Sequence, residues 1–356
     1  MVTIRAVAER AGCSIATVSR VINGSANTSP DVRERVEEAI SVLRYRPSDL
    51  GRSLKTRRTR TIGIVVPSFT NPVFASSVAG VEETARAHGR SVLLSATEYR
   101  GEREEDVIET LLAKKVEGLV LTVAGADGSP VLDRLDQAKL PYVLLYNQPA
   151  DERRIAFSVD NVAAARELTA RLIGLGHRSI AFVAGRFRTS DRSLLRYQGC
   201  VQAMKHAGLA APEVVEVDYA GDRPGELPAV LRDLQSSTAF FCSNDLLAIS
   251  VISALRDLGR RVPDDVSVAG FDGIAIGAMI DPKLATIEQP TRLMGEKAME
   301  TLLALSEGAP VKPGTRLLEH RFRPGASIAA APAGRGGGSD TAVTAIDPSS
   351  KGRTTR

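Results

Sequence analysis

The sequence predicts a small all-α head followed by an α/β core of two similar, doubly wound parallel-sheet halves. Three observations carry that expectation. Apolar residues recur at helical spacing through the first 45 positions. From Thr61 onward, short apolar runs alternate with helical stretches, as strand–helix–strand units of a parallel sheet require. The scheme of residues 61–96 then repeats in 179–217, which implies two like halves with a cleft between them.

In the head, the first helix is expected where Ile4, Val7, Ala8 and Ala11 share one face. Gly12 allows a sharp bend, and Ser14 can cap the next helix because its hydroxyl accepts from freed backbone N–H groups. In that second helix Val18, Val21 and Ile22 turn inward, leaving Ile15, Ala16, Thr17, Ser19 and Arg20 outside. Short hydroxyl side chains suit phosphates, and an Arg can grip guanine O6 and N7 together. The pair therefore reads as a helix-turn-helix, with an ordinary αα-hairpin of polar outer face as the plainer alternative. A third helix follows, with Ser29 as cap, Pro30 at its first position and Asp31 at the favourable dipole end. Its stripe is Val32, Val36, Ala39, Ile40 and Leu43, so the unit through Tyr45 can bury a core of its own. Residues 47–58 are too polar and basic to pack, and read as a hinge or a flexible basic linker.

In the core, the runs 62–67, 92–95, 118–123, 142–146, 180–184, 214–217, 239–242 and 266–270 are expected as buried parallel strands. Helices are expected at 73–87, 102–115, 131–138, 162–175, 193–206, 226–235 and 246–258, with a last helix at 291–305 and a last strand at 315–322. After Ile328 the chain holds almost nothing to bury and is expected to be disordered, without the leucine heptads of a coiled coil.

The net charge of +4 hides an asymmetry: residues 1–60 hold twelve Lys/Arg against six acids, +6, leaving −2 for the rest. A basic head on a slightly acidic body points to a polyanion as the partner of the head. No apolar run approaches the ~20 residues of a membrane helix, and the start lacks the pattern of a signal peptide, so a cytoplasmic protein is expected. Cys13, Cys200 and Cys242 are far apart and show no ligand spacing, so neither a disulfide framework nor a metal site is expected. His177 reads as a structural residue between helix and strand. No dinucleotide fingerprint follows the first strand and no nucleophile elbow appears, so no cofactor and no catalysis are expected.

Several motifs stand in a fixed order: Ser14-x-x-Thr17-Val18-Ser19-Arg20-Val21-x-Asn23, Tyr45-x-Pro47, Arg52-Ser53-Leu54-Lys55, Asn71-Pro72-Val73-Phe74, Gly176-His177, Ser243-Asn244-Asp245, Gly270-Phe271-Asp272 and Gln289-Pro290. Together they resemble the LacI family of transcriptional regulators from Thr3 to about Ile328. The resemblance implies a periplasmic-binding-protein-like core at 60–328, a DNA-binding domain at 1–46 and a hinge at 47–59; the tail at 329–356 lies outside it. Within the core it implies an N-subdomain of about 60–158 and 290–320, and a C-subdomain of about 159–288 and 321–328. It implies a homodimer reading a near-palindromic operator on double-stranded DNA. Ile15, Ala16 and Arg20 then match base-reading positions, and Ser14, Thr17, Ser19, Asn23 and Asn27 match phosphate contacts. Leu54 matches a minor-groove wedge, with Arg52 and Lys55 beside the backbone. Gly51 stands where a helix-favouring Ala is common, and Ser48 where Asn is usual.

The same resemblance implies a small-molecule effector in the cleft, held by Arg196, Asn244 and Asp272, with Tyr219, Phe69 and Phe74 packing and Asp160 and Gln289 as lesser candidates. A sugar or sugar derivative is the favoured effector, with a nucleoside, purine or anionic compound as the alternative. The cluster Arg186, Arg188, Arg192 and Arg196 could serve an anion, although such a run is more often a solvated face. Two rivals are a solute-binding protein, which would lack residues 1–58, and an α/β enzyme, which would need a catalytic motif not found here.

Overall fold

The computed structural model describes residues 2–22, 24, 28–45, 59–218 and 226–332. The head consists of α1 (Ile4–Ala11), α2 (Ile15–Ile22) and α3 (Pro30–Leu43). Thr3 caps α1 through its hydroxyl, and Gly12 closes it in the left-handed region at φ 61°, a conformation that a side chain would strain. The hydroxyl of Ser14 accepts the Thr17 N–H at 3.1 Å and so starts α2. Val7, Ala8, Ala11, Val18, Val21, Val36 and Ala39 are buried, with Ile4, Cys13, Ile22, Val32, Ile40, Leu43 and Tyr45 packed around them. Ser29 stands at the cap position of α3, but its side chain makes no capping bond there; Pro30 and Asp31 start that helix.

Among the described residues the core holds two six-stranded sheets. The first half contains β1 (Thr61–Val66), α4 (Pro72–Ala87), β2 (Ser91–Ala96), α5 (Glu102–Ala113), β3 (Gly118–Leu121), α6 (Pro130–Ala138), β4 (Tyr142–Leu145) and β5 (Ile155–Val159). The second contains α7 (Asn161–Gly174), β6 (Ile180–Gly185), α8 (Asp191–His206), β7 (Glu213–Val217), α9 (Glu226–Asp233), β8 (Ala239–Cys242), α10 (Asp245–Asp257), β9 (Ser267–Asp272) and β10 (Ala285–Glu288). Then α11 (Thr291–Ser306) and β11 (Gly314–Leu318) return to the first half, and β12 (Arg321–Arg323) to the second. Among the described residues the chain thus crosses between the halves three times.

The sheet orders are β2-β1-β3-β4-β5-β11 and β7-β6-β8-β9-β10-β12. All neighbours run parallel except β12, which is antiparallel to β10. The repeated strand–helix–strand scheme is therefore real, and the two sheets share one winding. Parallel strands demand covered faces, and the central strands β1, β3, β4, β5, β6, β8 and β9 are almost wholly buried. The helices α4 and α11 meet so closely that a Cβ on Gly295 would lie 2.0 Å from the Ser77 carbonyl oxygen, and one on Gly80 would lie 2.3 Å from that of Arg292.

Several expectations need correction. The strands β5 and β10 were not anticipated, because each is short and adjoins polar residues, and neighbouring strands supply the burial. The run expected as one strand at 315–322 divides at Glu319-His320 into β11 and β12, which join different sheets. β2 and β7 are not buried, because they lie at the free edges. Residues 328–332 are anchored rather than loose: Ala329 N–H donates to Ser267 Oγ at 3.0 Å and Ala331 N–H to the Leu175 carbonyl at 2.8 Å. His177 shares in that anchor, fully buried, bonding Thr238 Oγ1, Ser267 Oγ and the Ala329 carbonyl. Cys200 and Cys242 are buried and Cys13 partly so, all three as free thiols.

Candidate functional site

On the head, burial of Val18 and Val21 turns the opposite face of α2 outward. Ile15 is 42% exposed, and Ala16 and Arg20 are exposed beside it; Thr17 and Ser19 are half-buried at the margin. The Ser14 and Thr17 hydroxyls bond each other at 2.9 Å. The face offers one cation, two short apolar side chains and a flank of hydroxyls. Asn23, Asn27, Arg52, Leu54 and Lys55 lie outside the described residues.

In the core, the carboxyl ends of the strands of both sheets converge on a narrow cavity of about 20 Å³. That is room for about one water molecule, so the two walls are closed on each other and a larger ligand enters only as they part. From the first half come Asn71, Val73, Phe74, Tyr99 and Tyr146. Asn71 caps α4 by accepting the Val73 N–H. Phe74 and Tyr146 meet edge-on with ring centres 5.4 Å apart, and the Tyr146 hydroxyl donates to the Val73 carbonyl at 2.9 Å. Tyr99 and Tyr146 both sit at positive φ, 56° and 68°, at turns that follow strands.

From the second half come Ser190, Arg192, Ser193, Arg196, Ser243, Asn244 and Asp272. Arg196 is 5% exposed; its Nε donates to Asn161 Oδ1 at 2.8 Å, and its Nη1 to the Ser243 carbonyl and to Asp272 Oδ1 at 3.2 Å. Its guanidinium lies 3.7 Å from the centre of the Phe271 ring, a cation–π contact that fixes the plane of the charge. Asp272 ends β9 at φ 122°, a strained conformation for a residue with a side chain. Burial pushes its carboxyl up to about 7, against the pull of Arg196, with Asp245 adding to the rise. Asp245, itself pushed up to about 6 by burial, accepts from Ile274 N–H at 2.8 Å and from Thr286 Oγ1. Asn244 caps α10 by accepting the Leu247 N–H.

The two walls are directly bonded. Asp191 N–H donates to the Ala124 carbonyl at 2.8 Å, and Asp191 Oδ2 accepts from Ala126 N–H at 3.2 Å. Arg192 Nη1 donates to the Val123 carbonyl at 2.9 Å and pairs with Asp191 Oδ1 at 3.0 Å. The N-terminus of α8 is thereby pinned to the strand ends of the other half.

Of the residues expected here, Phe74, Arg196, Asn244 and Asp272 are brought together. Gln289 stands behind the wall, donating Nε2 to Asp272 Oδ1 at 2.8 Å. Phe69 is 60% exposed and outside the cavity. Asp160 caps α7 by accepting the Ala163 N–H and is not part of the wall. Tyr219 lies outside the described residues. The expectation of a solvated arginine face holds for Arg186 and Arg188 but not for Arg192 and Arg196, each 5% exposed, because α8 directs them between the halves. Sequence reasoning missed Tyr99, Tyr146 and Ser190 as wall residues and named Arg192 only as one of four clustered arginines; the Asn71-Pro72 cap signal could have located the first wall.

A second, open groove involves Leu231, Gln235, Leu258 and Arg260, at the amino ends of the strands and away from this convergence. Among the described residues no group of three or more His, Cys, Asp or Glu could hold a metal ion. No helix among them is long and apolar enough to cross a membrane.

Residues 3–48 match the family described as bacterial regulatory proteins, lacI family, and residues 169–328 match a periplasmic binding protein-like domain. The HTH-type transcriptional regulator GntR of Escherichia coli strain K12 is 33% identical over 325 residues, covering 90% of this chain and 97% of its own. Among solved structures, a Lac repressor dimer bound to operator and the anti-inducer ONPF superposes with a TM-score of 0.82 at 29% identity, covering 92% of this chain and 99% of that one. A complex of the transcriptional regulator CelR with cellobiose gives 0.66 at 31% identity, covering 92% and 100%.

Proposed function

The chain belongs to the lacI family of bacterial regulatory proteins, regulators rather than enzymes, and from that premise we propose that it is a repressor binding a near-palindromic operator as a homodimer. A small sugar or sugar derivative in the core cavity controls it. The observation that carries this reading is the presence, in one chain, of an outward-facing row on α2 and a polar cavity walled by two bonded halves.

In this reading Arg20 carries most of the direct base recognition, since Ile15 and Ala16 can meet a thymine methyl but cannot form bidentate hydrogen bonds. Ser14, Thr17, Ser19, Asn23 and Asn27 hold phosphates, and Leu54, flanked by Arg52 and Lys55, wedges the minor groove. Arg196, Asn244 and Asp272 bind effector polar groups, Phe74 packs on its apolar face, and Gln289 orients Asp272. A second copy has apolar surface to cover: Leu93 and Leu94 on the edge strand β2, and Ile276 and Met279, the last 80% exposed. The regulator works in the cytoplasm, where its operator lies. Because the walls belong to different halves, a ligand that binds one arrangement of them better shifts the chain toward it, and in a dimer that changes how the two heads meet DNA.

The test is selection of duplexes from a random pool by the full chain, followed by binding measurements with and without candidate effectors. A two-fold symmetric site, and a sugar or sugar derivative that alters affinity for it, are expected. Duplex binding without sequence preference would overturn the reading.

A further inference from the structure

Arg192 stands on α8 one turn before Arg196, and its side chain is 6% exposed. Its Nη1 is held by the Val123 carbonyl and Asp191. Its Nη2 is buried and, among the described residues, has no hydrogen-bond partner, although Arg192 lines the cavity. A guanidinium cannot shed its charge, and its donors lie in a planar fork that matches carboxylate and phosphate oxygens. A buried donor of this kind left unpaired is costly. The neighbouring Arg196 already has bonds to Asn161, Ser243 and Asp272.

The acids around these two cations are occupied as well. Asp191 Oδ2 accepts from Ala126 and Asn147, Glu104 accepts the Ala124 N–H, and Asp272 accepts from Gln289. Burial raises all three carboxyls above their ordinary range. The unpaired donor left for a ligand is Arg192 Nη2.

We infer that the effector carries a carboxylate or phosphate group and that Arg192 Nη2 receives it, so that the ligand is a sugar acid or sugar phosphate rather than a neutral sugar. The inference rests on the effector-controlled reading above. It also has Arg192 act on both sides of the cavity, since one nitrogen holds the anion while the other holds the opposite wall through Val123.

The test is calorimetric titration of the full chain with aldonates, uronates and sugar phosphates of the common hexoses and pentoses, each beside its neutral parent sugar. At least one charged compound is expected to bind tenfold or more tightly than its parent, and the carboxylate and phosphate arms separate the two sources of charge. Arg192→Gln should erase that margin and Arg192→Lys should keep part of it, with circular dichroism verifying that both variants fold. A margin that persists in Arg192→Gln overturns the assignment. Binding by neutral sugars alone, with altered operator affinity, overturns it too but leaves the effector-controlled reading standing. If nothing binds, charged or neutral, both fall.

Discussion

Asn147 donates its side-chain N–H to Asp191 Oδ2 at 2.8 Å, joining residues 44 apart in sequence and on opposite halves of the core. The same amide group bonds the Val123 N–H and carbonyl, both at 3.0 Å, so one fully buried side chain holds a strand end and the N-terminus of α8 together. Asn147→Ala would leave those groups unpaired. A loss of about 1–3 kcal/mol in chemical denaturation is expected, together with a more open core in small-angle scattering. Unchanged values in both would show that the link is dispensable.

The buried carboxyl of Asp272 makes stability depend on pH in a definite direction. Its pKa in the folded chain, about 7, exceeds the ordinary 3.8, so its proton is bound more tightly in the fold than in the unfolded chain. Its contribution is complete below the ordinary value and is lost as pH rises through about 7. Melting temperatures of the ligand-free chain should therefore decline across that window, and Asp272→Asn should flatten the decline. Asp245, raised to about 6, adds a part of the same sign that survives the substitution.

Arg20 stands exposed on α2. Arg20→Ala should cost about 1–3 kcal/mol per half-site and relax the preference for one guanine. Binding assays on operator and on scrambled duplex separate this from loss of a phosphate contact, which would weaken both alike.

Gly51 precedes the proposed wedge residue Leu54 in a segment outside the described residues. If the segment orders as a helix on DNA, Gly51→Ala removes about 0.5–1 kcal/mol of unfavourable propensity per chain, and operator affinity should rise. Unaltered affinity would mean that no helix forms there on binding.

Gly295 lies where a Cβ would fall 2.0 Å from the Ser77 carbonyl oxygen. Gly295→Ala forces α4 and α11 apart, and a loss of about 1–3 kcal/mol in urea denaturation is expected.

How much of this was legible in the sequence differs by region. The head could be read almost to the residue, because Gly12, Ser14 and the spacing of Val7, Val18 and Val36 are local signals that the packing simply obeys. In the core, strands rich in branched residues stood out. Ala285–Glu288, with one Ile among small and polar residues, becomes a strand only because β9 and β12 flank it. At the cavity, Asn244 and Asp272 were found through the motifs Ser243-Asn244-Asp245 and Gly270-Phe271-Asp272 that carry the family resemblance. Arg192 was named only as one of four clustered arginines, because nothing local distinguishes it from exposed Arg188 nearby; the difference is which way α8 faces in the assembled halves. Tyr146 depends on a left-handed backbone that its sequence neighbours do not announce.

The three crossings between the halves also govern how two copies can exchange material. Domain swapping requires a single connection that can swing out and insert into a neighbour. Here a half leaves its own chain only if the passages at 159–161, 288–291 and 318–321 are all rethreaded together. Both walls of the core cavity therefore belong to one polypeptide.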